Sequence, residues 1–119
     1  MINILEYDDI EFPQDFLWGA TTAGQQVEGN NNSFYDDEET CPKTAYGGVP
    51  YLKAGKACNS YEMYQEDIQL LKQMNLNTYR MSLEWSRIEP VEGVFNEKEI
   101  QHYKDVLKAL KEANINLEI

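Results

Sequence analysis

The stretch from Phe16 to Asn30 constrains the fold more than any other part of the chain. It begins with the apolar run Phe-Leu-Trp-Gly-Ala, continues in small residues and ends in a polar group that contains Gln25, Gln26 and Glu28. A short apolar run bounded by turn-forming glycines predicts a buried strand. In parallel α/β folds, ligands bind at the C-terminal ends of strands. The stretch therefore predicts a strand that carries amides and a carboxylate to a ligand site, and amides suit a neutral polyhydroxylated ligand.

Two helices and two further strands are predicted after this first strand. Apolar residues that recur every three or four positions mark the buried side of each helix. For the first helix these are Tyr61, Tyr64, Ile68, Leu71 and Met74, and for the second they are Ile100, Tyr103, Val106, Leu107 and Leu110. Asn59 and Asn96 are predicted to cap the two helices. Strands are predicted at 77–83 and from residue 116 to 119, so the order of elements favours an α/β fold with parallel strands.

Arg80 is a charged residue inside the second predicted strand. A strand of a parallel sheet should be buried on both faces, and a buried guanidinium needs a partner. The residues alone leave two interpretations open. Arg80 either forms a structural ion pair with a distant acid or points at a carboxylate of an active site.

Four side chains within or shortly before the second predicted helix are given roles from the sequence, and two of them, Trp85 and Glu84, allow more than one interpretation. Core packing is favoured for Trp85 over a role as a surface on which a sugar stacks. Arg87 is predicted to form a structural ion pair, and Glu84 is either its partner or a residue at the rim of the site. His102, the only histidine, is predicted to be exposed and to act neither as a metal ligand nor as a base.

Charge and composition exclude several classes of partner. Lys and Arg number 10 and Asp and Glu number 21, so the formal net charge of -11 argues against binding to nucleic acid or to an anionic membrane surface. The chain shows no secretion signal and no membrane span, so we expect a cytoplasmic protein with Cys41 and Cys58 as free thiols. The acidic run 36–39 is predicted to be a solvated loop, and we expect no metal and no cofactor.

Two motifs carry a resemblance to a known family. Phe-x-Trp-Gly-x-Thr-x-Ala-Gly, followed by Gln-x-Glu-Gly, and the later block Tyr-Arg-Met-Ser-Leu-Glu-Trp-Ser-Arg-Ile-Glu-Pro resemble the family 1 glycoside hydrolases. These are retaining β-glucosidases, β-galactosidases and their 6-phospho-sugar relatives. Gln25 and Asn30 depart from the family pattern. The resemblance implies that residues 1–119 form the N-terminal portion, about two and a half βα units, of a single (β/α)₈ TIM-barrel domain.

The resemblance also implies roles for two residues. Gln26 matches the position that binds hydroxyls of the sugar to be cleaved, so it is a predicted substrate-binding residue. Arg80 matches the arginine that contacts the nucleophilic glutamate, where it would keep that carboxylate ionised. The acid/base glutamate and the nucleophilic glutamate of the family lie on later strands, so both are expected beyond Ile119 and no catalytic residue is expected within this chain.

Two functions from different classes follow from this resemblance. The chain is expected to be a fragment of a retaining β-glycosidase that carries part of the subsite for the sugar of a small β-glycoside. The alternative is a non-catalytic truncated product or a carbohydrate-binding relic. The sequence leaves open the choice among glucose, galactose and a 6-phospho-sugar, and it leaves the oligomeric state open. The 119-residue chain alone is expected to be inactive and to lack a stable monomeric fold.

Overall fold

The computed structural model describes residues 11–33 and 54–119, and in them three short strands form one parallel sheet. The strands are β1 (Gly19–Thr21), β2 (Thr78–Arg80) and β3 (Asn116–Glu118). They are adjacent in the order β1-β2-β3, and both neighbouring pairs are parallel. The predicted parallel α/β arrangement is confirmed for this part of the chain.

Two long helices make the connections between the strands. Helix α2 (Ser60–Gln73) precedes β2, and helix α4 (Glu97–Glu112) lies between β2 and β3. Two single turns of helix, α1 (Gly24–Val27) and α3 (Trp85–Ile88), follow the C-terminal ends of β1 and β2. Neither α1 nor α3 is predicted from the sequence, because an element of four residues is too short to show a helical period.

Close backbone approach holds β1 against β2. Gly19 pairs with Thr78, and a Cβ atom at Gly19 would lie 2.8 Å from the Thr78 carbonyl oxygen, so only glycine fits. The side chain of Asn77 extends this pairing beyond the strand. It accepts a hydrogen bond from the Trp18 backbone N–H at 2.8 Å and donates one to the Phe16 carbonyl at 2.9 Å. The Asn77 side-chain amide thus makes the pair of hydrogen bonds that a backbone amide of β2 would make if the strand pairing continued by one more residue.

The hydrophobic core lies between α2, α4 and the residues that lead into the sheet. Its buried members are Ile68, Leu71, Val106, Leu110 and Ile115. An asparagine in the left-handed conformation lies two residues after the end of each long helix, at Asn75 and Asn114, and the next residue turns back to the core. The Leu76 and Ile115 N–H groups donate to the Leu71 and Leu110 carbonyls at 3.0 and 3.1 Å. This geometry satisfies carbonyls that the helix ends would otherwise leave unpaired.

The prediction that the first strand is buried is wrong for most of its length. Phe16, Leu17 and Trp18 are exposed, and only Gly19–Thr21 pair as a strand. No described element covers these three exposed side chains. The rings of Phe12, Phe16 and Trp18 contact one another instead, with centroids 4.7–4.8 Å apart.

One of the two predicted caps is confirmed. The Asn96 side chain accepts from the Lys98 N–H at 3.1 Å and caps α4. Asn59 does not cap α2 with its side chain, because it adopts a left-handed backbone conformation with φ of 59°. The predicted apolar side of α2 is also wrong at its last member, since Met74 lies at the C-terminal end of the helix and is exposed.

Several expectations concern residues outside the described ranges. Cys41 and the acidic run 36–39 both lie there, whereas Cys58 is a free and exposed thiol. Within residues 11–33 and 54–119, no helix has the length and apolar character needed to cross a bilayer. The same ranges contain no group of three or more His, Cys, Asp or Glu side chains arranged to hold a metal ion.

The exposed apolar side chains that precede β1 predict the behaviour of the purified 119-residue chain. Since Phe16, Leu17 and Trp18 precede β1, whose outer edge has no partner strand among residues 11–33 and 54–119, we expect the chain to bind a hydrophobic dye and to unfold over a broad temperature range. Dye fluorescence and a circular dichroism melt measure both properties. A monodisperse monomer with a sharp two-state melt would contradict this expectation.

Candidate functional site

A pocket of about 280 Å³ opens at the C-terminal ends of β1 and β2. Gln26 and Arg80, the two site residues predicted from the sequence, both line it. The other residues of its wall are Thr21, Thr22, Ala23, Met81, Ser82 and Ile119. Hydroxyl, amide and guanidinium groups therefore share one concave surface with a few apolar side chains. This mixture is the usual lining of a site for a small polar molecule.

Arg80 is the last residue of β2 and pairs with Thr21 of β1. The prediction that Arg80 is buried is wrong, because the residue is exposed where the sheet opens into the pocket. Within the described parts of the chain, its guanidinium forms no ion pair, so no distant acid found there holds it in place. Its charge is available to a group that enters the pocket.

The two neighbouring glutamines of α1 make different contacts. The Gln25 amide oxygen accepts hydrogen bonds from Asn31 Nδ2 at 3.2 Å and from Ser33 Oγ at 2.6 Å. Gln26 is exposed and lines the pocket. Gln25 therefore holds the segment that follows α1 in place by hydrogen bonds, while Gln26 is available to a ligand.

Glu28 does not contribute a carboxylate to the pocket, contrary to the sequence prediction. It directly follows α1 and is buried, and its Oε2 atom forms an ion pair with Arg87 Nε at 2.9 Å. The predicted structural ion pair of Arg87 is thus confirmed, with Glu28 as partner instead of Glu84. Arg87 also donates to the Gly29 carbonyl and to Asn31 Oδ1, and its guanidinium lies over the Tyr61 ring.

Tyr103 of α4 completes this buried cluster. Its hydroxyl lies 2.9 Å from each Glu28 carboxylate oxygen and accepts a hydrogen bond from the Glu84 backbone N–H at 3.1 Å. Burial raises the pKa of Glu28, while the Tyr103 hydrogen bond and the Arg87 charge act in the opposite direction. Burial also raises the pKa of Tyr103, so its hydroxyl remains a donor to Glu28.

Comparison with known proteins identifies the family of this chain. The model of glycosyl hydrolase family 1 matches residues 8–119. The chain belongs to glycosyl hydrolase family 1. It is 36% identical to myrosinase 1 of Brevicoryne brassicae over 109 residues, which cover 86% of this chain and 23% of the relative.

Solved structures of family 1 enzymes show the same fold over the matched region. The β-glycosidase BGL167 has a TM-score of 0.77 and 46% identity, over 89% of this chain and 25% of that chain. The β-glucosidase of Thermotoga maritima, solved with a methoxycarbonyl-substituted glucoimidazole, has a TM-score of 0.75 and 30% identity, over 89% of this chain and 25% of that chain. The chain thus spans about a quarter of the length of each of these three relatives, and the structural neighbours are TIM-barrel enzymes of family 1.

The roles that the sequence predicts for Glu84 and Trp85 are not the ones that the structure shows. Glu84 is buried, and its carboxylate caps α3 by accepting from the Ser86 N–H and hydroxyl, so Glu84 is neither the partner of Arg87 nor a rim residue. Trp85 is exposed rather than packed in the core, because α3 turns it outward. Its indole donates to Glu89 at 2.8 Å, and it does not line the pocket that contains Gln26.

His102 is half-buried, so the prediction of an exposed histidine is wrong. Its ring stacks on Tyr61 with centroids 3.8 Å apart and meets Tyr64 and Tyr103 edge-on at 5.5 Å. Periodicity placed it on the polar side of α4, but the tyrosines of α2 extend over that side. Burial lowers the pKa of His102, which favours the neutral ring in this aromatic cluster.

Tyr61 and Tyr103 make polar contacts that helical periodicity does not predict, because it places both residues only on apolar helix surfaces. The Tyr61 hydroxyl donates to Glu99 at 2.8 Å, and burial raises the pKa of Tyr61 to about 12. A signal was available, since a buried tyrosine hydroxyl needs a partner. Glu28 was an acid in the sequence with no assigned counter-charge, and Tyr103 was a potential donor to it.

The buried pair of Glu28 and Arg87 predicts a large effect of mutation. In a chimera in which this whole chain replaces the matching quarter of BGL167, Arg87→Met should lower the free energy of unfolding by about 3–5 kcal/mol, because Glu28 is left buried and unpaired. Lys108→Met is the control, since it removes the exposed pair with Glu112 and should cost about 0–1 kcal/mol. Urea titration measures both values. Equal costs for the two variants would contradict the structural role of the buried pair.

Proposed function

We propose that this chain supplies the N-terminal part of the barrel of a retaining β-glycosidase and that its pocket is part of the sugar subsite. The observation that carries this proposal is the meeting of Gln26 and Arg80 in one pocket at the ends of adjacent parallel strands. In α/β barrels, the C-terminal ends of the strands are where active sites lie. The Thermotoga maritima β-glucosidase, which shares this fold, forms a complex with a substituted glucoimidazole, and that complex supports a sugar-like ligand.

Gln26 is the proposed contact to hydroxyls of the sugar. Its amide can donate to one hydroxyl and accept from another, so one side chain recognises a diol without any net charge. The neighbouring Gln25 cannot take the same part, because its amide oxygen already binds Asn31 and Ser33. Hydrogen bonds to sugar hydroxyls that become stronger in the transition state accelerate glycoside hydrolysis.

Arg80 is the proposed support for the nucleophile. A guanidinium next to a glutamate lowers the pKa of that glutamate and keeps it ionised at neutral pH. Because Arg80 makes no ion pair within the described residues, its charge is free to act on a carboxylate that the rest of a barrel brings to the pocket. The acid/base and nucleophilic glutamates are expected on strands beyond Ile119. The 119-residue chain alone should therefore not hydrolyse glycosides.

The first test is the Gln26→Ala variant of the BGL167 chimera. Loss of the amide should reduce kcat/KM for nitrophenyl β-glucoside on the order of a hundredfold, because contacts made in the transition state disappear. Gln69→Ala, an exposed change on α2, is the matched control and should leave kcat/KM unchanged. Steady-state kinetics of the two variants measures both effects. Wild-type kinetics for Gln26→Ala, or an inactive chimera that is fully folded, would contradict the proposal.

The second test is the pH dependence of Arg80→Met in the same chimera. Without the positive charge, the pKa of the nucleophile should rise, so the nucleophile should keep its proton to higher pH. We therefore expect kcat to fall and the acidic limb of the pH profile to shift to higher pH. Arg80→Lys keeps the charge and should move that limb less. A profile of Arg80→Met that coincides with the unmutated profile would remove Arg80 from the role given to it.

A further inference from the structure

We infer that Tyr103 is a positioning residue for Gln26, which it controls through Glu28 and the short helix α1. This inference rests on the proposed function of Gln26. Tyr103 does not line the pocket that contains Gln26 and Arg80, so any effect on a bound sugar must pass through other residues. The contacts of α1 give that route.

Helix α1 is one turn long and cannot hold its own position. A single helical turn fixes several backbone dihedral angles for few hydrogen bonds and is unstable in isolation. Its location must therefore come from contacts at its two ends. At the N-terminal end, the Gly24 N–H donates to Ser82 Oγ at 2.9 Å. At the C-terminal end, the next residue is Glu28, whose buried carboxylate binds Tyr103 and Arg87.

The Tyr103 hydroxyl joins the two segments that form the pocket. One of its bonds holds Glu28, directly after α1, and the other receives the backbone N–H of Glu84, four residues after Arg80. Packing is tight at this junction, since a Cβ atom at Gly24 would lie 3.0 Å from Glu28 Oε1 and 3.3 Å from the Glu84 nitrogen. The Tyr103 hydroxyl thus joins the segment that carries Gln26 to the segment that follows Arg80, next to the bond between Gly24 and Ser82.

A second connection passes through Arg87 and returns to α1. Arg87 binds Asn31 Oδ1 at 2.9 Å, and Asn31 Nδ2 donates to the Gly24 carbonyl and to Gln25 Oε1, both at 3.2 Å. This closed set of bonds fixes the rotation of α1 about its axis, with Gln25 directed to Asn31. Gln26, the next residue, then lines the pocket. Loss of one bond should let α1 shift, and shifts of about 1 Å at a reacting centre reduce rates strongly.

The test is a double-mutant cycle between Tyr103 and Gln26 in the BGL167 chimera, which contains the full 119-residue chain. Tyr103→Phe removes the hydroxyl and keeps the ring. It should lower kcat/KM for nitrophenyl β-glucoside about tenfold, mainly through kcat. The same change should have little further effect when Gln26→Ala is already present, because Tyr103 then has no contact left to position.

Tyr64→Phe is the matched control. The Tyr64 hydroxyl has one long hydrogen bond, at 3.4 Å from Gln65, and no bond to α1 within the described residues. This variant should leave kcat/KM unchanged with or without Gln26→Ala. Should Tyr103→Phe fail to fold, Asn31→Ala interrupts the second connection at a less buried position and should show the same coupling to Gln26.

The outcomes separate this inference from the proposal on which it rests. If Gln26→Ala lowers kcat/KM and Tyr103→Phe does not, or if their effects multiply independently, the inference is wrong and the role of Gln26 stands. If Gln26→Ala has no effect, both are wrong. A lower melting temperature of Tyr103→Phe with unchanged kcat/KM would show a structural role alone and would also overturn the inference.

Discussion

The buried carboxylate of Glu28 is the interaction on which the candidate site depends. An ionised carboxylate away from water is costly unless it is paired and hydrogen-bonded. Here Arg87 supplies the charge and Tyr103 supplies a hydroxyl, each at 2.9 Å. These partners come from α3 and α4, while Glu28 directly follows α1. The need to satisfy one acid therefore brings three helical segments together around the ends of β1 and β2.

In this arrangement, the residue that holds the structure together and the residue that lines the pocket lie only two positions apart in the sequence. Glu28 is buried and fully engaged, whereas Gln26, two residues earlier, is exposed at the pocket. A single turn of helix turns one side chain inward and the other outward. Arg87 and Arg80 show the same division on the second strand and its continuation, since Arg87 is bound by several partners and Arg80 is exposed. The two arginines have the same chemistry and opposite surroundings.

Elements with a clear period were predictable from the sequence, and contacts between elements were not. Ile68, Val106 and Leu110 are in the core as predicted, and strands occur within 77–83 and 116–119. The burial of the first strand and of Arg80 was overestimated, because burial depends on the elements that cover a strand. Gln26 and Arg80, whose roles were implied by the family resemblance, line one pocket in the structure. The pairing of Glu28 with Arg87 spans 59 residues and has no local signal.

The same asparagine-containing turn follows both long helices, α2 and α4, and gives the chain a repeated helix–strand unit. Both turns use a left-handed asparagine followed by an aliphatic residue whose N–H binds the helix, and a second asparagine comes next, at Asn77 and Asn116. The second asparagines also meet, since the Asn116 N–H donates to the Asn77 carbonyl at 2.8 Å. The same change of direction is thus made twice, and it delivers each new strand beside the previous one. Because the same turn follows both helices, each helix–strand unit places its strand in the same orientation next to the previous strand. A curved parallel sheet can be built by repeating such a unit.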